Sequence, residues 1–270
     1  MNGTGEYNLQ LNNFAVRTVN SGVKPLELRY FPVYDCYYGE VRAYRVCLDV
    51  NSVIAGSLDG FSITDSLTDD EVGLRYSLRA LYKAASVERR VIDSGKKAAY
   101  SFIKVTDSLI YADDPYSLVK NALSAFGGCE RLALEFNASV MQAETGRLSE
   151  AFSSIRAANV KIAVNGYGGD VFPIEKLLSV CPDFVFTDEK LAEYSVNVEK
   201  SAAVAPVLNL VKSLGGNVVA DGVRNDNELR EFRARDSFGF IPAKNYKGNV
   251  AATANSLSAD DILKAENDYD

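Results

Sequence analysis

LELRYFPVYDCYYGEVRAYRVCLDV, residues 26–50, holds two β-rich apolar runs, LELRYFPV and VRAYRVCLDV. Only YDCYYGE, residues 34–40, separates them. A parallel pair needs a crossover of a dozen or more residues, usually a helix. Seven residues are too few, so the two runs are predicted to form an antiparallel hairpin. Six further runs follow: AAYSFIKV (98–105), RLALEF (131–136), VKIAVN (160–165), DFVFT (183–187), NVVAD (217–221) and DSFGF (236–240). Helix-like stretches lie between most of them. Leu148, Phe152 and Ile155 have helical spacing after the turn at ETG. Val207, Leu210, Val211 and Leu214 repeat it, with Pro206 near the start and Gly215–Gly216 as a C-cap. Strands alternating with helices imply βα units, and eight of them imply a closed barrel. The expected fold class is therefore α/β, a (β/α)8 TIM-barrel-like fold with an antiparallel first strand.

One barrel spanning residues 25–247 is expected. Residues 1–24, rich in Asn and Gly, read as an N-terminal arm. Residues 248–270 read as a peripheral acidic tail with a short helix, where Ser258 and Asp261 suit a capping box.

Composition narrows the function. The 270 residues are 47% hydrophobic and 24% charged, as in ordinary globular chains. The net charge of −7 disfavours a nucleic-acid polymer or an anionic membrane as the main partner. No run is long enough for a membrane span, and the N-terminus lacks the blocks of a signal peptide. Cys36, Cys47, Cys129 and Cys181 are scattered, which reads as free thiols in a reducing, cytoplasmic setting; a disulfide framework or zinc site is the alternative. The chain has no histidine, which removes the usual general base and metal ligand and the Ser-His and Cys-His pairs.

Chemistry in such barrels gathers at the C-terminal strand ends. Here those ends supply Lys104, Glu135, Asn165, Asp188 and Asp221. Three carboxylates at one mouth suit a hard divalent cation, or the strands simply end at solvent. The glycine-rich turn NGYGGD, residues 165–170, presents backbone N–H groups to a phosphate or merely permits positive φ. Tyr30, Tyr34, Tyr37, Tyr38 and Tyr44 form an aromatic contact patch or pack on their own barrel.

Six stretches, in order, resemble motifs of the EAL-domain family of cyclic-di-GMP phosphodiesterases. They are RYFPVYDCYYGEVRAYRV, LALEFNASV, IRAANVKIAVNGYGG, DFVFTDEKL, SLGGNVVADGVRNDNEL and FGFIPAK, within about residues 25–247. The resemblance implies a (β/α)8-like barrel with an antiparallel first strand. It also implies carboxylates and an Asn holding Mg2+ or Mn2+, and water that opens one phosphodiester bond to give linear pGpG. The motif positions have changed. The Glu of the EAL motif falls on Arg45, and the third strand's Asn ligand on Lys104. Glu135 is kept, but the second Glu of its motif is Ala138. The paired aspartates fall on Asn165 and Gly166. The Lys of the KID motif falls on Phe186, and its Asp is kept as Asp188. One Glu survives as Asp221, a later one is Arg224, and the Gln of the last motif falls on Phe238. On the ligand side, Phe31 stands for a Gln and Asp49 for a phosphate-facing Arg.

Two cations where dications would sit predict internal ion pairs with Glu135, Asp221 or Asp188 in place of metal. The expected site set is therefore vestigial: Arg45, Lys104, Glu135, Asn165, Gly166, Phe186, Asp188, Asp221 and Phe238, with no metal and no cofactor. Phe31, Arg45, Asp49 and Lys104 are the residues a nucleotide would meet. Phe31, Phe186 and Phe238 are expected to help close the mouth. The resulting reading is a catalytically inactive EAL-like module in bacterial signalling, regulatory or protein-binding. A metal-independent cyclic-di-GMP receptor is the alternative, and residual hydrolysis or a different small ligand rank below it.

Overall fold

The computed structural model describes residues 26–52, 56–68, 70–127, 130–169, 172–248, 250 and 256–265. The N-terminal arm, residues 1–24, lies outside the described residues, as does Cys129. The strands are β1 (Leu26–Tyr34), β2 (Val41–Ser52), β3 (Gly56–Leu58), β4 (Tyr100–Lys104), β5 (Leu132–Phe136), β6 (Lys161–Tyr167), β7 (Phe184–Thr187), β8 (Asn217–Val223), β9 (Gly239–Pro242) and β10 (Leu257–Ser258). The helices are α1 (Gly60–Ser66), α2 (Asp70–Asp93), α3 (Ser108–Tyr111), α4 (Pro115–Leu123), α5 (Thr145–Ala157), α6 (Ile174–Val180), α7 (Glu189–Ser195), α8 (Ser201–Ser213), α9 (Asp226–Ala234) and α10 (Ala259–Ala265).

β2 and β4 to β9 run parallel in sequence order. β1 closes the circle antiparallel to both β2 and β9. This is the hairpin that the short Tyr34–Glu40 connection demands. Asp35 holds the turn: its carboxylate accepts from the N–H groups of Tyr37 (2.7 Å) and Tyr38 (2.9 Å).

Successive side chains of a strand point to opposite faces, so the barrel has two cores. Inside lie Val33, Ala43, Phe102, Ala133, Ala163, Phe184, Phe186 and Val219. The alanines leave room for the rings: Phe102 meets Phe184 at 4.8 Å and Phe186 at 5.0 Å, both edge to face. Outside, the helices cover the opposite faces. In α2, Val72, Tyr76, Ala80 and Ala84 recur every fourth residue and are buried.

The predicted helix at Leu148, Phe152 and Ile155 is α5, and all three are buried. The helix near Pro206 starts earlier than expected. α8 starts at Ser201, so Pro206 lies inside it, and its buried residues are Val204, Leu208 and Val211. Val207, Leu210 and Leu214 are half-buried and pack against the same core as the buried residues, so the expected apolar face holds and only the start of the helix differs. Gly215, at φ +84°, ends it.

The tail is not wholly peripheral. β10 pairs with the middle of β1, at Arg29 and Tyr30, and Ile262 of α10 is 4% exposed. The Ser258–Asp261 box forms in both directions, with Asp261 N–H to Ser258 Oγ at 3.2 Å and Ser258 N–H to Asp261 Oδ2 at 2.9 Å.

α1 is pressed onto β2. The Gly60 N–H donates to Asp49 Oδ1 at 2.9 Å. A Cβ on Gly60 would stand 2.7 Å from Leu48 N and 2.8 Å from Cys47 Cβ. Gly60→Ala is therefore expected to cost about 1–3 kcal/mol through overpacking. Chemical denaturation followed by circular dichroism measures it, and an unchanged midpoint would show that α1 lifts freely. Among the described residues no helix is long and apolar enough to cross a membrane.

Candidate functional site

Strands β2, β4, β5, β6 and β8 bring Arg45, Lys104, Glu135, Asn165 and Asp221 together. Glu135 is the centre and its side chain is 0% exposed. Arg45 grips it bidentately, Nε to Oε2 at 2.7 Å and Nη2 to Oε1 at 2.6 Å. The remaining arm, Nη1, donates to Asp221 Oδ2 at 3.1 Å. Lys104 Nζ reaches Glu135 Oε1 at 3.3 Å and donates to Asn137 Oδ1. Asn165 Nδ2 donates to Glu135 Oε1 and Asn137 Oδ1, each at 3.2 Å, while its Oδ1 accepts from Ala138 N–H.

Burial and charge pull these groups in different directions. Burial alone would raise Glu135, but Arg45 and Lys104 outweigh it and hold the carboxyl below the usual range. Burial works against the charge of Arg45, yet Glu135 and Asp221 raise it overall. Lys104 is lowered, because burial outweighs the attraction of Glu135. Asp221 is raised by burial, which Arg45 opposes only in part. The firm pair is thus Arg45–Glu135, with Lys104 and Asp221 held more weakly around it.

Aromatic rings enclose the pair. The Arg45 guanidinium lies 4.7 Å from the Phe61 ring and 5.2 Å from the Phe186 ring. Phe186 is fully buried on β7, and Phe31 packs against Phe61 with the rings tilted and their centroids 5.3 Å apart. Phe238 does not join them. It lies at the opposite end of the barrel, against Tyr100, Phe102 and Phe184, with Arg42 4.4 Å above its ring. The reason is register: Phe238 immediately precedes β9, and its N–H donates to Val218 O near the start of β8. It plugs the floor, not the mouth.

The other expected site residues serve the scaffold. Asp188 caps α7 through the Lys190 N–H at 2.9 Å. Gly166 sits at φ +78°, a conformation that favours glycine, where an added Cβ would meet Ala138 Cβ at 3.1 Å. Asp49 is buried and held by Gly60 N–H, Cys47 Sγ and Arg29, the last at 3.3 Å. Its charge is spent on its own barrel wall. The tyrosines divide: Tyr30, Tyr34 and Tyr44 are buried, while Tyr37 and Tyr38 project from the hairpin tip.

Sequence reasoning missed Asn137, Phe61 and Asp65. Asn137 links Lys104 and Asn165 and passes its own amide to Asp65 at 2.7 Å. Asn137 lies two residues past Glu135, beyond the end of β5, and that spacing was the one available signal. Phe61 and Asp65 come from α1, in a stretch with no motif.

A divalent ion does not fit these residues. Both Glu135 oxygens and one Asp221 oxygen already accept from Arg45, with Lys104 on the far side. A dication placed about 4 Å from either cation would meet roughly 8 kcal/mol of repulsion at an effective dielectric of about 20. Among the described residues, no three acidic, histidine or cysteine side chains gather as a donor set.

The family model for the EAL domain matches residues 19–238. No curated protein matches the chain. The EAL enzyme Bd1971, in a form bound to cAMP and cyclic-di-GMP, is similar at TM-score 0.77 and 13% identity, over 98% of this chain and 70% of that one. The PaMucR phosphodiesterase, in complex with c-di-GMP, is similar at 0.74 and 15%, over 90% and 98%. An EAL domain protein from Listeria monocytogenes EGD-e gives 0.72 and 14%, over 93% and 95%. At these identities the likeness is one of fold.

Proposed function

This chain belongs to the EAL-domain family, and on that premise we propose that it is a catalytically inactive member, working in bacterial signalling as a regulatory or protein-interaction module. One observation carries the reading: Arg45 neutralises Glu135 and Asp221 from the middle of the mouth. The carboxylates that would gather a metal instead gather an arginine. Water activation by metal charge has no place to begin, and no histidine is present to supply another base.

Recognition of cyclic-di-GMP without turnover is disfavoured by the same geometry. Arg45 directs Nε and both Nη atoms at carboxylates, Lys104 is 1% exposed, and Asp49 sets a negative charge near β1. Neither cation is free to meet a phosphate.

The test is calorimetric titration with cyclic-di-GMP in Mg2+ and again in chelator, with chromatography for pGpG. No heat in either buffer and no pGpG are expected, with the fold verified by circular dichroism. Heat that survives the chelator would replace this reading with a metal-free receptor. Formation of pGpG would restore an enzyme.

A further inference from the structure

Away from the mouth, a cleft of about 530 Å³ lies between the first turns of α2 and the α3–α4 segment. Leu74, Ala112, Leu118 and Tyr111 give it an apolar lining, and Tyr111 is 53% exposed. Asp70, Glu71, Asp113 and Asp114 stand around it. No lysine or arginine is among its described lining residues. Glu71 pairs with Arg75 on the exposed face of α2, and Asp114 caps α4 through the Ser117 N–H at 2.9 Å. Asp113 makes no ion pair among the described residues. The apolar line continues down α2 by helical turns, through half-buried Leu78 to Tyr82, which is 50% exposed and packs on Phe126 at 4.9 Å.

An apolar-lined groove with an acidic rim is complementary to an apolar stripe with a basic border. Nucleic acid would meet like charge. A second copy of this chain, at net charge −7, offers no matching excess of cations. We propose that this cleft docks a basic amphipathic helix of a protein partner, which places a leucine-like anchor over Leu74 and Leu118 and lysines or arginines against Glu71 and Asp113. The proposal rests on the protein-interaction reading and gives that reading a surface. The cleft lies among helices on the outside of the barrel and shares no lining residue with the mouth, so a docked helix would leave the Arg45–Glu135 pair untouched.

The probe is a labelled synthetic helix with leucines at i, i+3, i+4 and i+7 among lysines, beside a counterpart with glutamates for the lysines. Anisotropy gives affinity and hydrogen exchange gives location. The lysine peptide is expected to bind, to protect residues 70–78 and 111–118, and to weaken by at least about tenfold in Glu71→Lys/Asp113→Lys. A control double variant, Glu175→Lys/Glu199→Lys, makes the same net charge change on other exposed positions and is expected to bind as the unaltered chain does. Equal weakening by both variants would reduce the effect to general attraction and overturn the proposal. So would protection elsewhere, or equal binding of the glutamate peptide. The nucleotide titration fails or succeeds independently, so loss of the cleft and loss of the inactive-module reading are separate results.

Discussion

Glu135→Gln is expected to destabilise the barrel by about 3–5 kcal/mol, the usual cost of stranding buried charges. The amide keeps the shape of the carboxylate and removes the charge that holds Arg45 and Lys104. Arg45 would retain only Asp221, and Lys104 only the neutral Asn137. At roughly 2–4 °C per kcal/mol for a chain of this size, the thermal midpoint falls by on the order of 10 °C. The chain has no tryptophan, so circular dichroism is the convenient probe. Replacing the group together, as Arg45→Met/Lys104→Met/Glu135→Leu/Asp221→Asn, is expected to recover most of the loss, because no charge is left unpaired and a well-packed apolar substitute often equals a buried ion pair. A loss below about 1 kcal/mol for Glu135→Gln would mean that water reaches the pair and screens it.

The same variant carries a pH signature. Glu135 is held below its ordinary value in the folded chain, where the attraction of two cations overcomes burial. An acid depressed on folding contributes stability that is present above its unfolded pKa and lost as pH falls through the folded value. Stability should therefore fall as pH drops below about 4.5, and Glu135→Gln should flatten that limb. Asp183 keeps an acid limb of its own in both proteins. Burial would raise it, but the Ile162 N–H and Arg156 hold it low. Asp221 runs the other way, since burial raises it and its charged form opposes stability as pH rises.

The barrel was legible because its deciding evidence is local. Tyr34–Glu40 is too short for anything but a hairpin, and that alone reverses β1. Lys104, Glu135 and Asp221 were legible as a cluster because they lie at the mouth ends of their strands, where side chains must converge, whereas Arg45, well inside β2, was found only through the family resemblance. What the residues meet sideways was not legible. Phe61 reaches Arg45 only because Gly60 lets α1 lie against β2, and a contact set by the missing Cβ of a neighbour leaves no period in the sequence. Phe238 was misplaced for a related reason. A motif position says which residue aligns, but the one-residue offset between Phe238 and the start of β9 decides which end of the barrel it fills. The start of α8 was placed late because Pro206 reads as a helix start, whereas the helix begins at Ser201.

Arg45→Glu/Lys104→Asn is expected to convert the mouth from an ion-pair cluster into a metal-dependent one. The unaltered chain has two cations and two carboxylates that balance one another. The double variant has three carboxylates and no cation in the same space. Without an ion, mutual repulsion and burial destabilise it by several kcal/mol. Mg2+ or Mn2+ relieves this, because oxygen donors at one mouth are what a hard cation takes. At an ion concentration of about 100 times Kd, the gain is roughly 2.7 kcal/mol, which thermal denaturation resolves easily. The unaltered chain is expected to show no such gain. Hydrolysis is expected to stay absent even with the ion bound, since Asn165, Gly166 and Phe186 still stand where the family resemblance places two aspartates and a lysine. That outcome would assign metal binding and turnover to separate positions. Formation of pGpG by the double variant would show instead that Arg45 and Lys104 alone hold the activity off. A midpoint indifferent to either ion would show that the donors around Glu135 have moved too far apart to serve a cation.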